Sequence, residues 1–146
     1  MPFRLILPTS FYEAMCQHAQ SIRPLECCGI LAGTLDLPVA RVVAHYPLTN
    51  ALASPVEFEG DPRELLRAYR DIDARGLRLL AIYHSHPTSP PIPSRKDLER
   101  SYGEDVVNFI LSLTTVPPTV RAWWLGSTDY REAEWELSSD GEALRS

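Results

Sequence analysis

The chain has 146 residues, 45% of them hydrophobic and 23% charged, with a formal net charge of −5. That length suits one domain with a real core, and we expect residues 1–146 to form a single domain. The acidic balance excludes a phosphate-binding footprint, so no nucleic-acid partner is expected. Its longest apolar runs, "CCGILAGTL" and "LRLLAIY", are too short to cross a bilayer. The start, "MPFRLILPTS", shows no cleavage-site pattern, so no signal peptide is read. Three cysteines, Cys16, Cys27 and Cys28, cannot all pair, which favours buried thiols in a reducing cytoplasm over a disulfide framework.

In chain order, "FRLILP" predicts a first strand, and "TSFYEAMCQHAQSI" a helix with Phe11, Met15, Cys16 and Ala19 at helical spacing and Thr9 or Ser10 as its cap. "RPLECCGILAG" follows a proline break and predicts a buried strand ending at Gly33. "PVARVVAHYPLTN" predicts its hairpin partner across "TLDLP". "ALASPVEFEG" is irregular, with a short extended piece expected at Val56 to Phe58. "DPRELLRAYRDIDARG" carries the clearest helical signal. Asp61 caps it, Pro62 sits in the first turn, Leu65, Leu66, Tyr69 and Ile72 form the stripe, and Gly76 closes it.

"LRLLAIYHSH" is almost continuously apolar and predicts a central strand buried on both faces. A proline loop leads to a short helix starting at Ser94. Three more strands are expected at "VVNFILSL", "VRAWWLGS" and "YREAEWELS". Adjacent Trp123 and Trp124 should face opposite sides of the sheet, one in the core and one at an interface or edge. A mixed sheet with helices packed on it is the architecture these elements imply.

The chemistry concentrates in "YHSHPTSPPIPSRKD", residues 83 to 97. On a strand His84 and His86 leave the same face, their Cα atoms about 6.6 Å apart. Two imidazoles at that spacing can lean onto one ion, while Ser85 points the other way. Asp97 falls in the first turn of the next helix, three residues after Ser94, and prolines at 87, 90, 91 and 93 stiffen the connection. Two histidines and one carboxylate leave a fourth position open, the arrangement of a catalytic rather than a structural zinc. Such an ion lowers the pKa of water toward ~7 for attack on a carbonyl.

Blander readings exist for each part. "SRKD" fits a helix capping box, and "PTSPPIP" has the PxxP spacing of a polyproline ligand, although here it is clamped between a core strand and a helix. Amide hydrolysis also needs a carboxylate base. Glu26, Glu57 and Glu59 all qualify by position, and spacing does not choose among them.

The pattern resembles the JAMM, or MPN-plus, metalloprotease family: a glutamate upstream, then His-x-His, seven residues, Ser, two residues and Asp. This chain reads "HSH", "PTSPPIP", "S", "RK", "D" without a gap, and "PLECCGILAG" is similar to the family's glutamate-bearing strand. The resemblance spans roughly residues 3 to 137. It implies an α/β MPN domain, a curved mixed sheet flanked by helices and related in architecture to the zinc deaminases, although the deaminase His-x-Glu signature is absent.

For the site, the resemblance implies one zinc per chain held by His84, His86 and Asp97. Glu26 would act as general base and then acid, Ser94 would stabilise the oxyanion, and Ser85 would support the site from behind. The substrate class implied is the C-terminal Gly-Gly tail of a ubiquitin-like protein. The compact chain is most similar to short prokaryotic members acting on ubiquitin-like sulfur carriers. Asn50, Ser54 and Phe58 are then candidate substrate contacts flanking an extended tail. Family members often self-associate, so a homodimer is an expectation. Two competing readings are a non-catalytic MPN scaffold, which typically lacks ligands, and a RadC-like DNA-repair relative, whose usual "HNHPSG" differs from "HSHPTS".

Overall fold

The computed structural model describes residues 2–139. Eight strands form one mixed sheet: β1 Arg4–Pro8, β2 Cys28–Asp36, β3 Val39–Leu48, β4 Arg78–His86, β5 Val107–Ser112, β6 Thr119–Leu125, β7 Tyr130–Glu132 and β8 Trp135–Ser138. Three helices accompany them: α1 Thr9–Ser21, α2 Pro62–Ala74 and α3 Arg95–Glu99. Across the sheet the order is β7-β6-β5-β4-β2-β3-β1-β8. β4 pairs in parallel with β5, and β1 with both β3 and β8, whereas the remaining pairs are antiparallel.

The expected "YREAEWELS" strand is in fact two strands on opposite edges. Ala133 N–H donates to Ala122 O of β6, and Glu134 O accepts from Leu5 N–H of β1. Two residues therefore step from one edge of the sheet to the other, which requires the sheet to curl until its edges approach. Ala133 is buried at that crossing, so the alternation read along the sequence spans a corner.

β4 lies in the middle and is buried on both faces from Leu80 to His86, as its apolar run predicts. On one face α1 packs through Met15 and Ala19 against a core that includes Leu5, Leu7, Leu31, Tyr83, Phe109 and Trp124. On the other, α2 covers Cys28, Ile30, Ala44, Leu48 and Ile82. Period-two alternation assigns Tyr83 and Ser85 to the α1 side, and Ile82, His84 and His86 to the α2 side.

Asp61 caps α2 by accepting from the Arg63 and Glu64 N–H groups, and Gly76 follows its end at φ +66. Its buried stripe differs from the expected one. Leu65, Ala68 and Ile72 pack inward, while Leu66 and Tyr69 are 50% and 41% exposed. Helix α1 has no side-chain cap; the Thr9 hydroxyl donates instead to Ser138 O, 3.0 Å away in β8. Val56 to Phe58 form no strand, and the loop is closed by an isolated bridge between Asn50 and Gly60.

Both Trp123 and Trp124 are buried, so neither lies open at an edge. Trp124 meets Phe3 edge-on in the main core, and Trp123 joins a separate cluster with Ile110 and Leu125. Gly29 of β2 is required sterically, because a Cβ there would collide with the Tyr83 ring. The Tyr83 hydroxyl lies 2.7 Å from both His18 Nδ1 and His45 Nε2, a polar pin joining α1, β3 and β4. None of the three cysteines forms a disulfide.

Candidate metal centre

β4 ends at the site, and its last three residues divide their work by face. His84 and His86 extend their Nε2 atoms to within 3.1 Å of each other. Ser85, fully buried behind them, accepts the Cys27 N–H on Oγ at 2.8 Å, while its own N–H donates to Cys27 O. This clasp extends the β2–β4 register, in which Cys28 faces His84, and so sets Glu26 across from His86 on the same face.

α3 brings the third group. Ser94 is its N-cap and makes a complete capping box: Ser94 Oγ accepts from Asp97 N–H, and Asp97 Oδ2 accepts from Ser94 N–H at 2.9 Å. The carboxylate that closes the capping box also faces both histidines. Asp97 Oδ1 lies 3.1 Å from His84 Nε2, and Oδ2 lies 3.1 Å from His86 Nε2. With side-chain exposures of 1%, 5% and 7%, the three groups share one buried corner.

The donor set fits a cation. Pro90 O, which can only accept, lies 2.8 Å from His86 Nδ1. That nitrogen therefore carries a proton, and in the neutral ring this leaves the Nε2 lone pair directed toward the Asp97 carboxylate and His84. With Asp97 ionised, its two oxygens and the two Nε2 atoms converge within 3.1 Å contacts, a geometry that a cation at their centre satisfies. His84, His86 and Asp97 are the group that could hold a metal among the described residues. Two imidazole nitrogens and one carboxylate suit zinc or a similar borderline ion.

Electrostatics follow from burial and from this triangle. Burial pushes the His84 pKa down, only partly offset by the charge and hydrogen bond of Asp97. For His86 burial acts the same way, but hydrogen bonds to Asp97 and Pro90 O outweigh it and raise the pKa. Burial also opposes ionisation of Asp97, yet the two histidines and the Ser94 N–H hold its carboxyl far below the usual range.

Glu26 is 4% exposed, and its Oε1 is buried without a hydrogen-bond partner. Burial pushes its pKa up to about 8, with the charges of His86 and Asp97 acting in opposite senses. The rivals differ: Glu57 lies 3.5 Å from Lys96 and 3.6 Å from Arg100, and Glu59 is exposed.

The candidate substrate contacts divide. Asn50 is buried and organises the 50–60 loop, donating from Nδ2 to Glu26 O and Glu57 O at 3.0 Å and accepting from Leu52 and Glu59 N–H. Ser54 O accepts the Glu26 N–H at 2.9 Å. Together they grip both backbone polar groups of Glu26. Phe58 alone faces the site, stacking on His84 with centroids 4.5 Å apart.

Beside the triangle is a small cleft lined by Phe58, Lys96, Arg100, Tyr102 and Asn108 among others. Sequence reasoning missed Asn108, although one amide inside "VVNFILSL" is a visible anomaly. It is 1% exposed, on the β5 face that continues from Ile82.

Comparison with known proteins identifies the family. The family model described as prokaryotic homologs of the JAB domain matches residues 8–126. A desampylase of Pyrococcus furiosus is 41% identical over 95 residues, 65% of this chain and 64% of the relative, so the match spans just under two thirds of that protein. The CysO-cysteine peptidase of Mycobacterium tuberculosis is 33% identical over 113 residues, 77% of this chain and 75% of the relative. A solution structure of a Desulfitobacterium hafniense protein superposes with a TM-score of 0.85 at 32% identity, covering 93% of this chain and 94% of the other. By sequence and fold alike, the chain belongs to the family of prokaryotic JAB-domain homologues.

Proposed function

We propose that this protein is a zinc-dependent peptidase that hydrolyses the amide bond following the C-terminal Gly-Gly of a ubiquitin-like sulfur-carrier protein. The observation that carries the reading is the convergence of His84, His86 and Asp97 within 3.1 Å contacts, with Glu26 buried on the same face. The names of the relatives, a desampylase and a CysO-cysteine peptidase, supply the substrate class.

In this reading His84 Nε2, His86 Nε2 and Asp97 hold one zinc ion, which when bound polarises the scissile carbonyl and acidifies water. The chain's own groups do the rest. Glu26 Oε1, which has no partner to satisfy it, takes the proton of the attacking water and returns it to the leaving amine. A carboxyl with its pKa near 8 is poised for both transfers once nearby positive charge draws it down. Ser94 Oγ accepts from Asp97 N–H, so its hydroxyl proton stays available to an oxyanion. Phe58 borders the tail-binding side through its stack on His84, while Asn50 and Ser54 act through the loop that fixes Glu26.

Purified protein should carry one zinc per chain and trim a carrier bearing one residue after Gly-Gly. Chelation should abolish trimming, and zinc should restore it. A scaffold would carry no stoichiometric zinc, and that result would overturn the proposal. The reading places the protein in the cytoplasm, consistent with three unpaired thiols, and no helix among the described residues is long and apolar enough to cross a membrane. Sedimentation at two concentrations tests the expected homodimer.

A further inference from the structure

Where Asp97 arrives depends on the seven residues from Pro87 to Pro93, which contain no helix or strand. Three consecutive carbonyls of that loop are captured, each by a side chain from a different strand. Ser89 O accepts from Ser112 Oγ of β5 at 2.7 Å. Pro90 O accepts from His86 Nδ1 of β4 at 2.8 Å, and Pro91 O accepts from Trp123 Nε1 of β6 at 2.9 Å. Pro90 and Pro91 have no N–H, so these carbonyls are the only backbone polar groups by which the sheet can hold them.

The Trp123 ring is itself fixed. The Arg121 guanidinium lies 4.5 Å over its face, and Tyr130 meets it edge-on at 5.2 Å. Leu98, the neighbour of Asp97, packs on the cluster that Trp123 forms with Ile110 and Leu125. One side chain thus braces the loop by its N–H and supports α3 by its ring.

We propose that Trp123 is a positioning residue for the metal ligands: by holding Pro91 O it sets the loop whose Pro90 carbonyl keeps His86 in the Nδ1–H tautomer and delivers Asp97 to both histidines. Ser112 serves the same loop two carbonyls earlier. This rests on the reading of His84, His86 and Asp97 as zinc ligands. Its physical basis is the tautomer requirement: if Pro90 O drifts from His86 Nδ1, the ring can move its proton to Nε2, and the lone pair that faces the site is lost. Groups that orient a metal-bound histidine are typically worth about 10–100-fold in metal affinity. Trp123 acts one carbonyl further away, so about tenfold is expected.

The test uses the full chain with β-(3-benzothienyl)alanine at position 123, which exchanges the indole N–H for sulfur at nearly constant shape, and separately Ser112→Ala. Zinc affinity is read by competition with a chromophoric chelator. His86 tautomer is read from ¹⁵N imidazole spectra of chelated protein at a pH where the ring is neutral. Wild type should show the Nδ1–H form. Both variants should show mixed tautomers and about tenfold weaker zinc binding, with far-UV spectra unchanged. Wild-type tautomer and affinity in both variants would overturn the proposal. Wild type that binds no zinc would instead overturn the ligand reading beneath it.

Discussion

Replacing Glu26 by Gln separates chemistry from electrostatics, because it deletes a proton carrier while keeping the shape of a side chain that is 4% exposed. In chelated protein burial raises its pKa from an ordinary 4.5 to about 8. Between those values the unfolded chain has ionised Glu26 while the folded chain keeps it protonated. The folded state then binds more protons, and stability falls as pH rises, by about 1.4 kcal/mol per pH unit. Over the window from pH 4.5 to pH 8 the loss is on the order of 5 kcal/mol, fully incurred above pH 8. Glu26→Gln lacks this loss, so urea denaturation of the chelated proteins should show the variant gaining on wild type as pH rises from 5 to 8. Zinc supplies positive charge that lowers the same pKa, and in zinc-loaded protein the gain should shrink. Turnover should fall about 10²–10⁴-fold with zinc content unchanged. Parallel stability curves for the two chelated proteins would refute the burial argument, and a wild-type cleavage rate would refute the assignment of the base.

Asp97→Asn should retain α3, since its amide oxygen can still accept from Ser94 N–H, yet lose stoichiometric zinc; metal analysis beside circular dichroism checks both halves. Tyr83→Phe removes the hydroxyl shared by His18 and His45 and leaves their ring nitrogens unsatisfied, at a cost of about 1–3 kcal/mol in urea unfolding. Burial pushes the His45 pKa down to about 4, so the unfolded state binds the extra proton below pH 6.5. Stability should therefore fall as pH drops from 6.5 toward 4, opposite in direction to the Glu26 effect, and His45→Asn should flatten that limb of a melting-temperature profile.

Local periodicity made most of the site readable. His84 and His86 share a face because strand side chains alternate, and Asp97 sits three residues past its cap because a capping box demands it. Those are rules of a few residues, and they hold whatever the rest of the chain does. Glu26 is different: spacing left it level with Glu57 and Glu59, and only the family resemblance singled it out. What distinguishes the three is the β2–β4 register and the salt bridges of Glu57, both contacts between distant segments. Leu66 and Tyr69 misled because apolarity identifies a candidate stripe without saying which side of it meets the sheet. "YREAEWELS" misled because alternation continues through a corner at which the chain changes partners. Asn50 and Ser54 hold the backbone of Glu26, and which of its groups each holds depends on how their loop lies against it, a contact between distant segments.

The crossing at Ala133 and Glu134 also orders events during synthesis. All four groups of the proposed centre lie before residue 100, and their strands pair with segments complete by Leu125. β1, the first of the described strands, keeps one side vacant until Trp135–Ser138 leave the ribosome. A nascent chain can thus assemble its chemistry early yet display a hydrophobic seam beside Leu5 and Leu7 until β8 emerges, which is the interval in which chaperone contact or edge-to-edge association would compete with closure.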